Sequence, residues 1–282
     1  MATRADTNTD VEISVLLPTR GRTQTLENSV LSLLENCQNP DSVELLLLFD
    51  DDDTESSSWF TNNLAEKVDS LGGRFTCWQT PRLGYVRLNE YVNFLAGKAS
   101  GAWLMFWNDD AVMRTADWDA EIRKYHGKFL CLRMPTHREH PYAIFPIIPR
   151  AWYELFGYIS PHQISDAWVS QIAYLLDIMQ TIPVSVEHDR HDLTGNNKDQ
   201  TFLERRMLEG RPSDPRDFNH STWRKLRLSN AHSIYEMLQK QGVDMSWYQA
   251  VLRGEQEAWS KMCSDEFDPN HQVSRQTLDN RS

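Results

Sequence analysis

Asp109 and Asp110 stand side by side at the end of the apolar run 102–107, with Asn108 ahead of them. Adjacent carboxylates repel one another unless a cation lies between them. Hard divalent ions such as Mg²⁺ and Mn²⁺ take oxygen ligands and commonly bridge protein carboxylates to phosphates. The plain alternative is a strand-to-turn junction, where Asn and Asp are frequent. A second acidic cluster, Asp50 to Asp53, follows the apolar run 43–49. Asp50 and Asp51, nearest the end of that run, can accept hydrogen bonds from a base or a ribose. Asp52 and Asp53 read as solvated charge.

Basic and imidazole groups accompany these acids. Thr19-Arg20-Gly21-Arg22 follows the first apolar run and Pro18. Arg20 and Arg22 suit forked contacts to phosphate, though the same residues also make an ordinary basic loop. In Arg82–Asn89, Gly84 precedes a helix start, where backbone amides can face an anion. Tyr85 can stack on a base or simply be a half-buried packing residue. His188 and His191 flank Asp189-Arg190 near the end of another strand-like run. Either can complete a metal site built on carboxylates, or be a surface histidine in a polar loop. Asp166 lies at an apparent helix start, where a carboxylate can be an N-cap or a general base.

The elements that must position these groups follow from periodicity. Short apolar runs at 13–17, 43–49, 74–78 and 102–107 alternate with helix-like stretches at 25–36, 59–71 and 88–98. Such alternation predicts a parallel α/β sheet, in which ligands bind beyond the carboxyl ends of the strands. Both acidic clusters then face one crevice. Farther on, 129–133, 143–148 and 181–187 read as strands, and 149–156, 166–179, 196–209, 229–241 and 246–261 as helices. Residues 211–221 read as a linker.

Composition excludes several classes. The 282 residues hold 29 Lys plus Arg against 40 Asp plus Glu, a net charge of −11. That argues against a general duplex-DNA binder, whose footprint is usually basic. Cys37, Cys77, Cys131 and Cys263 are widely spread and form no CxxC pair, which predicts reduced thiols and a cytoplasmic protein. The polar first residues lack a signal-peptide core, and no run of 18 apolar residues predicts a membrane span.

In order, ISVLLPTRGR, LLLLFDDDDTE and GYVRLNEYVNFLAGKASGAWLMFWNDDAVM resemble a GT-A glycosyltransferase of the family 2 type. The resemblance covers about residues 12–115 and continues more weakly to about 205. It implies a Rossmann-like, mixed but mainly parallel sheet flanked by helices, with a C-terminal helical extension. Pro18 and Thr19 match the loop after the first strand, and Asp50 and Asp51 the nucleotide-recognising acid pair. Arg87, Asn89 and Gly101 match the segment before the DxD-like element Asn108-Asp109-Asp110. Asn108 replaces the first Asp of that motif, and the usual DDGS reads Asp-Asp-Asp-Asp. The resemblance thus implies Asp110 as a ligand of Mn²⁺ or Mg²⁺ with Asp109 beside it, and Asp166 as the base. His188 and His191 compete as the late histidine ligand, His191 being slightly preferred.

The implied organisation is a flexible leader 1–10, a catalytic domain 11–210, a helical extension 211–263 and a flexible tail 264–282. The nucleotide-binding half of the domain is about 11–115 and the acceptor half about 116–210. The implied donor is a nucleotide-diphosphate sugar, a UDP-sugar first, and direct displacement would invert the anomeric centre. The acceptor is either a glycan or a hydroxymethylated base in DNA. Trp107, Trp118, Trp152 and Trp168 are candidates to stack on it or to fill the core. Residues 205–227 carry seven Lys/Arg and three acids, a basic stretch on an acidic chain. Two other classes compete: a sugar nucleotidyltransferase, and a non-catalytic nucleotide-sugar-binding module.

Overall fold

Leu45, Leu46, Leu47 and Leu48 are all buried although successive strand side chains point to opposite faces. Only a strand covered on both faces permits that, and the fold supplies both covers. The structure, a computed structural model, describes residues 11–136, 142–189, 203–204, 216–246 and 248–249. The first four strands are β1 (Ile13–Thr19), β2 (Val43–Asp50), β3 (Arg74–Thr80) and β4 (Trp103–Phe106). They run parallel in the spatial order β3-β2-β1-β4. Between them lie α1 (Thr23–Glu35), α2 (Thr54–Trp59), α3 (Ala65–Ser70) and α4 (Leu88–Ala96). Ile13, Val15, Leu17, Leu45 and Leu47 pack with Leu26, Val30 and Leu33 of α1. Leu16, Leu46 and Leu48 pack on the other face with Tyr91, Val92 and Leu95 of α4.

The helix expected at 59–71 begins earlier, at Thr54. Asp53 caps it by accepting from Ser56 N at 3.3 Å, so one of the four acids is a capping group. A π-helical turn, Phe60–Leu64, joins α2 to α3.

Beyond β4 come β5 (Ala111–Met113), α5 (Trp118–Arg123), β6 (Cys131–Arg133), β7 (Ile147–Pro149), α6 (Arg150–Phe156) and α7 (Ser165–Leu176). Then follow β8 (Met179–Thr181), β9 (Val186–His188) and α8 (Ser221–Lys240). The main sheet has seven strands in the order β3-β2-β1-β4-β7-β6-β8, with β7 antiparallel to both neighbours. A second sheet pairs β5 with β9. Periodicity marks neither β5 nor α5, both being short. The strand expected at 181–187 is two strands in different sheets. Pro183 lies in the gap between them, and proline has no N–H to give a ladder.

The linker expected at 211–221 gives way to helix at Ser221, eight residues before the expected start at 229. His220 Nδ1 accepts from Thr222 N there. Ala231, Ile234, Tyr235 and Leu238 of α8 join Trp168, Val169 and Ile172 of α7 in one apolar core. The expected helix 246–261 and tail 264–282 lie almost wholly outside the described residues, as does most of 196–209.

Candidate functional site

The chain leaves β1, builds β2 and β3 on one side, then returns to place β4 on the other side of β1. That reversal opens a crevice at the carboxyl ends of β1 and β4. Thr19 ends β1 and Asn108-Asp109-Asp110 follows β4, so the topology brings them together. Thr19 Oγ1 donates to Asp109 Oδ2 at 2.7 Å. The cleft there is lined by Pro18, Thr19, Arg20, Arg22, Asp50, Gly84, Asn108 and Asp109 of the sequence-predicted set. Leu48, Arg82, Leu88 and Tyr91 complete it, enclosing about 140 Å³.

The second sheet positions the late histidine. Ala111 pairs with His188 across β5 and β9, and Asp189 N donates to Asp110 O at 2.8 Å. His188 Nε2 thereby lies 3.2 Å from Asp110 Oδ1, with both side chains under a tenth exposed. Phe145 holds the imidazole edge-on, with ring centroids 4.9 Å apart. His191 lies outside the described residues.

Asp109 and Asp110 are 1% and 5% exposed. Arg22 pairs with Asp109, and its Nη1 is 3.3 Å from Asp110 Oδ2. Burial alone would raise the Asp110 pKa. His188 and Arg22 outweigh it and hold the carboxyl below its usual range.

Among the described residues no three His, Cys, Asp or Glu side chains are grouped to hold a metal by themselves. Two nevertheless fit a shared divalent ion. Ligand atoms at about 2.1 Å from one ion and at right angles are about 3.0 Å apart, close to the 3.2 Å between His188 Nε2 and Asp110 Oδ1. Mg²⁺-type ions usually take one or two carboxylates and complete their shell with water and substrate phosphate.

Asp50 is 5% exposed and both its oxygens are engaged. Tyr91 Oη donates to Oδ1, and Arg20 Nη1 donates to Oδ2 at 2.9 Å. Burial, then the bond to Asp50, raises the Tyr91 hydroxyl to about 12. Arg20 also pairs with Asp52, which is solvent-exposed as expected and helps anchor the arginine. Asp51 is exposed, and its N donates to Thr80 O at 2.8 Å.

The remaining predicted residues lie around this cleft or away from its lining. Gly84 has φ +67 and Tyr85 N faces an anion, but that anion is Glu204 of this chain, whose Oε2 accepts at 2.9 Å. Arg82 Nη2 donates to Glu204 Oε1 at 2.6 Å. Arg87 is exposed and pairs with Glu90. Asn89 is buried and donates to Ser160 O at 3.3 Å. Asp166 is half-buried in the first turn of α7 and is not among the cleft's lining residues. The turn before it is held by His162, whose Nδ1 accepts from Ile164 N at 3.1 Å and whose Nε2 lies 2.9 Å from Arg216 O. One neutral tautomer, with the proton on Nε2, makes both bonds.

Two alternatives left open on the acceptor side are narrowed. Trp107, Trp118, Trp152 and Trp168 are each at most 1% exposed, so all four fill the core and none is free to stack on an acceptor. Trp107 Nε1 donates to Ser29 Oγ at 2.7 Å and Trp118 Nε1 to Leu33 O at 2.9 Å. Arg227 is fully buried, its guanidinium 4.0 Å from the Phe218 ring centroid and 5.3 Å from that of Trp168, so it adds nothing to a basic surface. Arg205, Arg206 and Arg211 lie outside the described residues.

Sequence reasoning passed over Tyr91, Arg82 and Glu204. A tyrosine at the apolar spacing of α4 was a legible signal, because a buried hydroxyl needs a partner. Glu204 carried no signal, being more than 100 residues from the loop it holds. Cys37, Cys77 and Cys131 are free thiols, as expected. Among the described residues no helix is long and apolar enough to cross a membrane.

No protein-family model matches the chain, and no curated protein matches it in sequence. Solved structures do match. The mannosyltransferase PcManGT from Pyrobaculum calidifontis, solved with GDP-Man and Mn²⁺, is 12% identical with a TM-score of 0.54. That match covers 97% of this chain and 88% of the other. GalNAc-T7, solved with UDP, GalNAc and Mn²⁺, is 14% identical with a TM-score of 0.50, over 64% of this chain and 44% of that one. S. aureus TarS is 15% identical at a TM-score of 0.48, over 78% of this chain, and the match spans about half, 48%, of the TarS chain. With its 3-2-1-4 parallel core, antiparallel β7 and acid cluster at the β1/β4 crevice, the chain has the GT-A fold.

Proposed function

We propose that the protein is a glycosyltransferase that moves a sugar from a nucleotide-diphosphate sugar to an acceptor hydroxyl. The observation that carries this reading is the cluster of Asp109, Asp110, His188 and Arg22 at the β1/β4 crevice, with Thr19 bonded to Asp109. Asp110 and His188 would hold a divalent ion, Mn²⁺ or Mg²⁺. When bound, that ion would supply positive charge for the leaving diphosphate. Arg20, Arg22 and Arg82 face the same cleft and suit an anionic donor. Asp50, held by Tyr91 and Arg20, shapes the wall beneath the nucleoside, and Asp51 stands exposed beside it for base or ribose recognition.

For the general base we take Asp166, the residue that the resemblance implies, which stands in the first turn of α7 outside the cleft's lining. It takes the acceptor hydroxyl's proton as the acceptor oxygen bonds to the anomeric carbon. The bond from that carbon to the diphosphate oxygen breaks in the same step, so the centre inverts. The acceptor is a glycan hydroxyl or a hydroxymethylated base in DNA, and we take the glycan first. The net charge of −11 and the burial of Arg227 both weaken the case for DNA.

The test is thermal stability with a panel of nucleotide sugars, UDP-sugars first, with and without Mn²⁺. A ligand selective for the folded state raises the melting temperature. Metal-dependent stabilisation by one nucleotide sugar, lost in Asp110→Asn, is the expected result. Stabilisation by nucleoside triphosphates alone would instead indicate a nucleotidyltransferase. Binding without release of nucleoside diphosphate, across a glycan panel, would indicate a binding module. Turnover of a hydroxymethylated DNA oligonucleotide, failing steeply with salt, would move the acceptor to DNA.

A further inference from the structure

Asp109 and Asp110 are two buried carboxylates in succession, and such a pair demands positive charge. Arg22 supplies it by bridging both. Its side chain is 21% exposed while theirs are 1% and 7%, so the guanidinium caps the pair from the solvent side. Arg22 and Asp109 both line the cleft from which a cation would enter.

The groups around Arg22 are each anchored by contacts of their own. Thr19 fixes Asp109. The β5–β9 ladder fixes His188 beside Asp110. Gly21, at φ +65, donates its N–H to Asp53 Oδ2 at 2.8 Å and to Ser56 Oγ at 3.1 Å, which ties down the backbone next to Arg22. With the backbone beside it anchored, parting Arg22 from the carboxylates calls for movement of its side chain and not of the loop. The cleft it lines encloses about 140 Å³, whereas small-molecule sites are usually about 300–1,000 Å³.

We propose that Arg22 is an exchangeable counter-ion. It neutralises Asp109 and Asp110 in the metal-free protein and yields them when a divalent cation binds. The released guanidinium is then free to fork onto the diphosphate of the incoming nucleotide. This rests on the glycosyltransferase reading. It adds that metal and nucleotide bind cooperatively because a single arginine serves first one and then the other.

The test is a Mn²⁺ titration followed by electron paramagnetic resonance on wild type, Arg22→Gln and Arg22→Lys, each with and without UDP. Arg22→Gln should bind Mn²⁺ alone about tenfold more tightly than wild type. It should also gain the larger Mn²⁺-induced rise in melting temperature, because its carboxylates lack their counter-ion. UDP should tighten Mn²⁺ binding strongly in wild type and weakly in the variant. Arg22→Lys keeps the charge without the fork and should fall between, which preserves the test if the glutamine variant does not fold. Equal Mn²⁺ affinity in wild type and variants overturns the proposal and leaves the function reading intact. UDP binding with no Mn²⁺ binding in any protein overturns it and removes the metal from the reading. If neither ligand binds any protein, both fall.

Discussion

Thr19 Oγ1 donates to Asp109 Oδ2 at 2.7 Å across 90 residues of sequence, joining the end of β1 to the acids that follow β4. Both residues are buried, at 7% and 1% exposure, so the bond satisfies a carboxylate that water scarcely reaches. It also sets the direction in which the Asp109 carboxylate meets Arg22. Removing the hydroxyl therefore disturbs stability and the site together.

Thr19→Val should lower folding stability by about 1–3 kcal/mol, the cost of stranding a buried polar group. Thr19→Ser keeps the donor and should cost less than half as much. Urea denaturation of the two variants beside wild type checks this. A larger loss in Thr19→Ser than in Thr19→Val would mean the methyl, not the hydroxyl, matters.

Tyr91→Phe removes one of two donors to Asp50 and leaves Arg20 as the other. A stability loss of about 1–3 kcal/mol is expected, for the same reason. Nucleotide affinity should fall as well, because Asp50 and Tyr91 both line the cleft. Isothermal titration with UDP measures the second effect, and an unchanged affinity would place the nucleoside elsewhere.

Gly101→Ala should destabilise without touching the cleft. A Cβ there would lie 2.7 Å from Ser14 N, a backbone atom in the sheet that cannot swing aside. Overpacking of this kind costs about 1–3 kcal/mol. The melting temperature should fall while nucleotide affinity per folded molecule stays the same.

His162 makes stability fall in acid. Burial, its largest influence, holds its folded pKa below the ordinary 6.5, and the nearby Arg227 charge adds to this. The unfolded chain thus binds the proton at higher pH than the folded one. Its contribution is complete above the unfolded value and is lost as pH drops beneath it. The limiting slope is about 1.4 kcal/mol per pH unit. Denaturation of wild type and His162→Gln from about pH 7 to pH 5 isolates this share. A wild-type-minus-variant difference that is flat, or that grows toward acid, would remove His162 as the cause.

The sequence by itself determined the first four strands in chain order and the two acidic turns after β2 and β4. Unbroken apolar runs such as 43–49 suit only strands buried on both faces, and polar clusters directly after them mark strand ends. Local pattern also located Asn108-Asp109-Asp110, the Thr19–Arg22 loop and the Gly84 turn, because each is contiguous. The tertiary structure alone decided which of these groups meet. His188 reaches Asp110 only through the β5–β9 register, and β5 is too short to leave a periodic trace. The same holds for Glu204 on Arg82 and Tyr85, and for the burial of the four tryptophans and Arg227. Contacts between residues far apart in sequence depend on packing geometry, which no local period encodes. A side chain's role as core, counter-ion or ligand is set by what the fold places within 3 or 4 Å of it.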